Sequence, residues 1–130
     1  MSHGTKDLVI CCMDYRFRER VAQWIQETLA NTADLVSVAG ASKAITSEQS
    51  REYIFSLIDI GRNLHGVTTV HILDHIDCGA YGGSSQHTDQ AAETTFHSNQ
   101  CQQATALLAA KYPDLTVKSY YMDFDAIQSA

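Results

Sequence analysis

Asp7-Leu8-Val9-Ile10-Cys11-Cys12 runs directly into Met13-Asp14-Tyr15-Arg16. The first six residues form a short, nearly continuous apolar run, the pattern of a strand buried on both faces. Beyond it the period changes. Val21, Trp24, Ile25 and Leu29 share one helical face while Arg18, Glu19, Gln26 and Glu27 lie elsewhere, which predicts a helix over 16–30. The two periods then keep alternating. Leu35-Val36-Ser37-Val38-Ala39 reads as a second strand ended by Gly40. A helix starts at Ser47, carries Ile54, Leu57, Ile58 and Gly61 on one face, and closes at Gly66 as a C-terminal glycine should. Residues 67–73 are strand again, 79–85 a glycine-rich loop, 89–111 a third helix ahead of Pro113, and 115–122 a last strand.

This β-α-β-α-β-α-β order predicts an α/β fold: one domain over residues 1–130, with an open, mostly parallel sheet and helices on both faces. Right-handed crossovers and the flavodoxin-type arrangement give strand order 2-1-3-4. Ligands in such sheets bind outside the carboxyl ends of the strands, where the winding reverses. For this order the crevice lies between the ends of the first and third strands, which carry 12–16 and 74–78.

The 130 residues are 45% apolar, enough for a sizeable core and too much for a disordered chain. No apolar run approaches the length of a membrane span, and 1–6 has none of signal-peptide length. Nine Lys+Arg against fifteen Asp+Glu give a formal charge of −6, which argues against nucleic acid as a partner. Four cysteines are too few for a disulfide scaffold, so a soluble, cytoplasmic protein with thiols in use is expected.

Cys12, His75 and Cys78 form a candidate three-ligand zinc site. Thiolate and imidazole suit zinc, and three protein ligands leave a fourth position for water or a carboxylate. Asp14 and Arg16 follow Cys12 at two-residue steps, so in an extended segment all three project to one side. Arg16 can then hold the Asp14 carboxylate in a fork, ionised and aimed at a metal-bound water. Structural readings stand beside these. Asp14 could be a helix N-cap and Arg16 a surface partner. Cys11 and Cys101 read as small apolar filler. Asp74 and Asp77 read as loop or supporting carboxylates, His71 as packed in or beside the sheet, and His3, His65, His87 and His97 as solvated or loop residues. Gly79, Gly82 and Gly83 suggest a phosphate cradle only superficially, because no Gly-Lys-Ser/Thr follows.

Cys12-Met13-Asp14-Tyr15-Arg16, with His75-Ile76-Asp77-Cys78-Gly79 some sixty residues on, resembles the Cys-x-Asp-x-Arg and His-x-x-Cys-Gly motifs of the β-class carbonic anhydrases. The similarity runs from about residue 6 to 83 and continues more weakly through the last helix and strand. It implies zinc on Cys12, His75 and Cys78, with Asp14 and Arg16 as the catalytic pair. Asp14 would either face the zinc-bound hydroxide or swing in as a fourth ligand in a closed form. It further implies reversible hydration of carbon dioxide to bicarbonate (a carbonate dehydratase, a lyase), a pocket bordered by Tyr15, Gly40 and Gly79, and a homodimer or higher homo-oligomer with the zinc near the interface. Relatives hydrolyse carbonyl sulfide or carbon disulfide with the same ligands. Three departures bear on substrate and rate: Ser37 and Val38 stand where the family has Arg and Asn, Tyr15 replaces a serine, and the N-terminal helical extension common in the family is not expected here. These changes also admit a non-catalytic zinc-binding homologue. Cys12 and Arg18 fit a Cys-x₅-Arg phosphatase or arsenate reductase loop as well, but Asp14 puts a carboxylate where that loop would seat an anion.

Overall fold

The computed structural model describes residues 3–130. Its centre is the strand β1 (Asp7–Cys11), all five residues buried, flanked on one side by β2 (Asp34–Ser37) and on the other by β3 (Thr69–His75). β4 (Thr116–Met122) lies beyond β3, and these four strands run parallel in the order 2-1-3-4. The register sets Cys11 beside Ser37 and Leu73, so β1 and β3 finish together at one end of the sheet.

Burial on both faces follows from how the helices are shared out. Leu8 and Ile10 face a core built with Ile54, Ile58, Ala104 and Leu108. Those residues belong to α3 (Glu48–His65) and α4 (Gln90–Lys111). Val9 and Cys11 face the opposite way, toward Val21 and Ile25 of α1 (Arg18–Thr28). Each fully buried Leu or Ile side chain contributes about 1.5–3 kcal/mol. The helix ends agree with the chain's punctuation: Asp89 accepts the Ala92 N–H at the start of α4, and Gly66 ends α3 at φ 81°, with Val67 N–H returning to the Gly61 carbonyl.

Four details differ from the sequence reading. The segment after Cys12 stays extended only to Asp14 (φ −59°, ψ 117°): Tyr15–Phe17 is a 3-10 turn, and α1 begins only at Arg18. Asp14 starts that turn by accepting the Arg16 N–H, so N-cap and ion-pair partner are roles of one residue. The short helix α2 (Ser42–Thr46) follows Gly40, and β5 (Ile127–Ser129) adds antiparallel to β4, extending the order to 2-1-3-4-5. Finally, His97 is not solvated. It is buried against the sheet and its Nδ1–H donates to Asp74 Oδ2 at 2.6 Å.

Candidate metal centre

The ends of β1 and β3 build the site. Cys12 directly follows β1, and His75 is the last residue of β3. Two residues later Asp77 takes a left-handed backbone (φ 57°), which turns the chain and returns Cys78 to His75. Asp is among the few residues with a side chain that tolerate this conformation. The candidate ligand atoms of Cys12, His75 and Cys78 all lie within 4.8 Å of one another.

Their geometry suits zinc. Two sulfurs on a tetrahedral zinc, at Zn–S of about 2.3 Å, sit about 3.8 Å apart; those of Cys12 and Cys78 are separated by 4.0 Å. His75 Nδ1–H donates to the Ile76 carbonyl at 2.6 Å, so the neutral ring, the form that binds a metal, carries its lone pair on Nε2. That Nε2 is buried and has no hydrogen-bond partner among the described residues. A buried acceptor without a donor is costly unless something else occupies it, and a metal ion held with the two sulfurs would do so. Phe17 packs on the imidazole with ring centroids 4.4 Å apart and fixes its plane.

The thiols are electrostatically unequal. A hydrogen bond from Cys78 holds Cys12 far below the ordinary thiol range, to about 4, against the opposing effect of burial and with help from His75 and the Gly40 N–H. Cys78 is pushed up by the same contact and by burial. For His75, burial pulls the imidazole down, but its contacts with Cys12 and the Ile76 carbonyl outweigh that and leave it raised. An ion held by both sulfurs would need both as thiolates.

Asp14 and Arg16 stand beside this set. Arg16 Nη2 donates to Asp14 Oδ2 at 2.6 Å, and Nε lies 3.1 Å from each Asp14 oxygen. The same Asp14 Oδ2 is 3.8 Å from His75 Nε2. The Arg16 guanidinium holds the Asp14 carboxyl below its usual range. Asp14 caps the turn 15–17 with its own carboxylate, so the backbone amide a phosphate loop would aim at an anion is already used. That counts against the Cys-x₅-Arg reading.

The weaker pocket assignments divide. Gly40 touches the site through its N–H, 3.4 Å from Cys12 Sγ, with a left-handed φ of 83°. Tyr15 is 75% exposed and lines a cavity of about 260 Å³ together with Cys12, Met13, Asp14, Arg18 and Leu35. Gly79 is exposed, with open space where a side chain would go.

Sequence reasoning read Asp74 as a loop or supporting carboxylate without its partners, and missed Glu93 altogether. Asp74 accepts from Ser42 N–H, Ser42 Oγ and His97, and Tyr81 OH donates on to Ser42 Oγ, a largely buried network built on the residue that precedes His75 in β3. Glu93 is buried and holds the 77–84 loop. A signal existed: Glu93, His97, Cys101, Ala104 and Leu108 recur at helical spacing, so a charged residue on the inward stripe marks a buried role.

A mostly parallel sheet of order 2-1-3-4-5 with Cys, His and Cys at adjacent strand ends agrees with the fold that the β-carbonic-anhydrase resemblance implies. Residues 2–128 match the model of the family described as "Putative carbonic anhydrase", and the chain belongs to that family. It is 29% identical over 127 residues to an uncharacterized protein of Rickettsia conorii (strain ATCC VR-613 / Malish 7), covering 92% of this chain and 68% of the relative. An uncharacterized protein of Rickettsia bellii (strain RML369-C) is 28% identical over 127 residues, with 92% and 77% covered. Among solved structures, a carbonic anhydrase from Glaciozyma antarctica superposes with TM-score 0.64 at 18% identity, over 97% of this chain and 82% of its own. One of two tetrameric β-carbonic anhydrases from Sordaria macrospora gives TM-score 0.66 at 14% identity, over 98% and 81%. At these identities the structural likeness is one of fold.

Proposed function

We propose that the protein is a zinc-dependent carbonate dehydratase catalysing the reversible hydration of carbon dioxide to bicarbonate. The observation that carries this reading is the placement of the Asp14–Arg16 pair 3.8 Å from an orphaned, buried His75 Nε2 that shares its site with two cysteine sulfurs. Cys12, His75 and Cys78 would hold the metal. Zinc, when bound, would supply a Lewis acid that lowers the pKa of a water and makes it a nucleophile.

The chain's own residues do the rest. Arg16 keeps Asp14 ionised, so the carboxylate stays an acceptor and orients the attacking oxygen by taking its hydrogen bond. The Gly40 N–H and the Ile76 carbonyl fix one sulfur and the imidazole. Met13, Tyr15 and Leu35 give the neighbouring cavity an apolar rim suited to an uncharged linear substrate. These three side chains are 67%, 75% and 55% exposed, an apolar edge that supports a homo-oligomer closing over the site. Among the described residues no helix is long and apolar enough to cross a membrane.

Stopped-flow assay of the zinc-loaded protein tests the reading, with carbon dioxide, carbonyl sulfide and carbon disulfide offered in parallel. Turnover of carbon dioxide above the others is the expected result. Turnover of a sulfur substrate alone would transfer the same site to hydrolysis, and zinc binding with no turnover would make the chain a non-catalytic homologue.

A further inference from the structure

Arg16 is gripped by more than Asp14. Its Nη1 donates to Asp77 Oδ2 at 3.1 Å and its Nη2 to the Asp77 carbonyl at 2.9 Å. Both acceptors belong to the residue with the left-handed backbone that turns the chain toward Cys78. That conformation is tied down from behind. Asp77 N–H donates to Glu93 Oε2 at 2.7 Å, and Ser84 closes the loop by donating its Oγ to Glu93 Oε1 at 2.8 Å and its N–H to Asp77 Oδ1 at 2.8 Å. Gly83 leaves the room this needs, since a Cβ there would sit 3.0 Å from Asp77 Oδ1.

Glu93 is 1% exposed. A carboxylate that deep persists only when its oxygens are hydrogen-bonded, and a well-packed apolar residue would serve stability as well or better. What an apolar residue could not do is fix the Asp77 amide. We propose that Glu93 is a positioning residue for the Asp14–Arg16 pair, acting through Asp77. The path runs from the first turn of α4 to the Asp77 backbone, from two Asp77 oxygens to the guanidinium, and from the guanidinium to the Asp14 carboxylate. If Asp77 rotates, both of its oxygens leave Arg16 together, and the fork that aims Asp14 loses its second anchor. The inference rests on the carbon dioxide reading for its catalytic consequence, but not for its geometry.

The test uses zinc-loaded full-length protein with Glu93→Gln and, separately, Asp77→Asn. The substitution Glu93→Gln keeps the side-chain volume but leaves a single accepting oxygen where two are used. Asp77→Asn likewise leaves one oxygen, which can accept from Ser84 N–H or from Arg16 but not from both. Position 77 lies in a half-buried turn outside the sheet and the helices. The readout is hydrogen exchange at Arg16 Nε–H by NMR, alongside zinc content and steady-state kinetics. Expected in both variants is exchange faster by about tenfold or more, zinc unchanged at about one per chain, and kcat lower by about tenfold with KM little altered. Unchanged Arg16 exchange in a folded Asp77→Asn protein would overturn the proposal, and so would loss of zinc, which would mean that the turn serves Cys78 alone. Loosened Arg16 in a protein inert toward carbon dioxide would sustain the positioning and refute the substrate reading.

Discussion

The sulfurs of Cys12 and Cys78 lie 4.0 Å apart across 66 residues of chain. Neither is in a disulfide, and the spacing is that of two ligands on one tetrahedral ion. Cys78→Ser should therefore abolish stoichiometric metal binding while the fold survives, because Cys78 lies in the loop after β3 rather than in the sheet. Elemental analysis of protein prepared in zinc should fall from about one ion per chain to a small fraction. Retention of full occupancy would show that the thiolate pair is not the ligand set.

Asp14 and Arg16 should behave as one unit. Asp14→Asn removes the acceptor and Arg16→Gln removes the fork that holds it, so either substitution alone should cost most of what both together cost. A double-mutant cycle on kcat/KM is expected to give a coupling energy of about 0.5–3 kcal/mol. Additive effects would return both residues to the status of independent surface charges.

Activity should be low near pH 7 and rise through about pH 8–9. Two thiolates donate more charge to zinc than imidazoles do, so a water in the fourth position ionises less readily than at the three-histidine site of another carbonic anhydrase class, where the value is about 7. Asp14 does not add a limb within this window. Its carboxyl is held below the ordinary carboxylate range by Arg16, so the pair is fully formed above the unfolded value of about 3.9 and is lost only as pH falls through the lower folded one. A kcat/KM profile that is flat or peaks in acid would contradict the zinc-activated nucleophile.

His97→Leu should destabilise the protein by about 1–3 kcal/mol. Asp74 is 1% exposed and would lose one of its three donors. Urea unfolding of the zinc-loaded variant measures this. A neutral result would mean that the two Ser42 donors suffice for the buried carboxylate.

Much of this protein was legible in its sequence because it rests on local physics. The run 7–12 could be a doubly buried strand because nearly all of it is apolar. Gly66 could end α3 because the left-handed conformation there costs a glycine little, and Asp89 with Pro113 bracketed α4. With the parallel order set by alternating periods, Cys12, His75 and Cys78 fell at the two strand ends that must meet. What escaped the sequence depends on contacts between distant segments. β5 is three residues long and exists only through its pairing with Met122, Tyr121 and Tyr120. Asp14 looked extended from its spacing, but its own carboxylate closes a turn on the Arg16 amide. His97 and Glu93 are polar residues in a weakly amphipathic helix, and their burial was decided by partners on β3 and in the loop after it. Local sequence determines which residues can form a strand, a cap or a ligand. Whether a carboxylate is a solvated charge or the anchor of a site depends on which donors the fold brings within hydrogen-bonding reach, since a buried charge is tolerated only where such donors meet it.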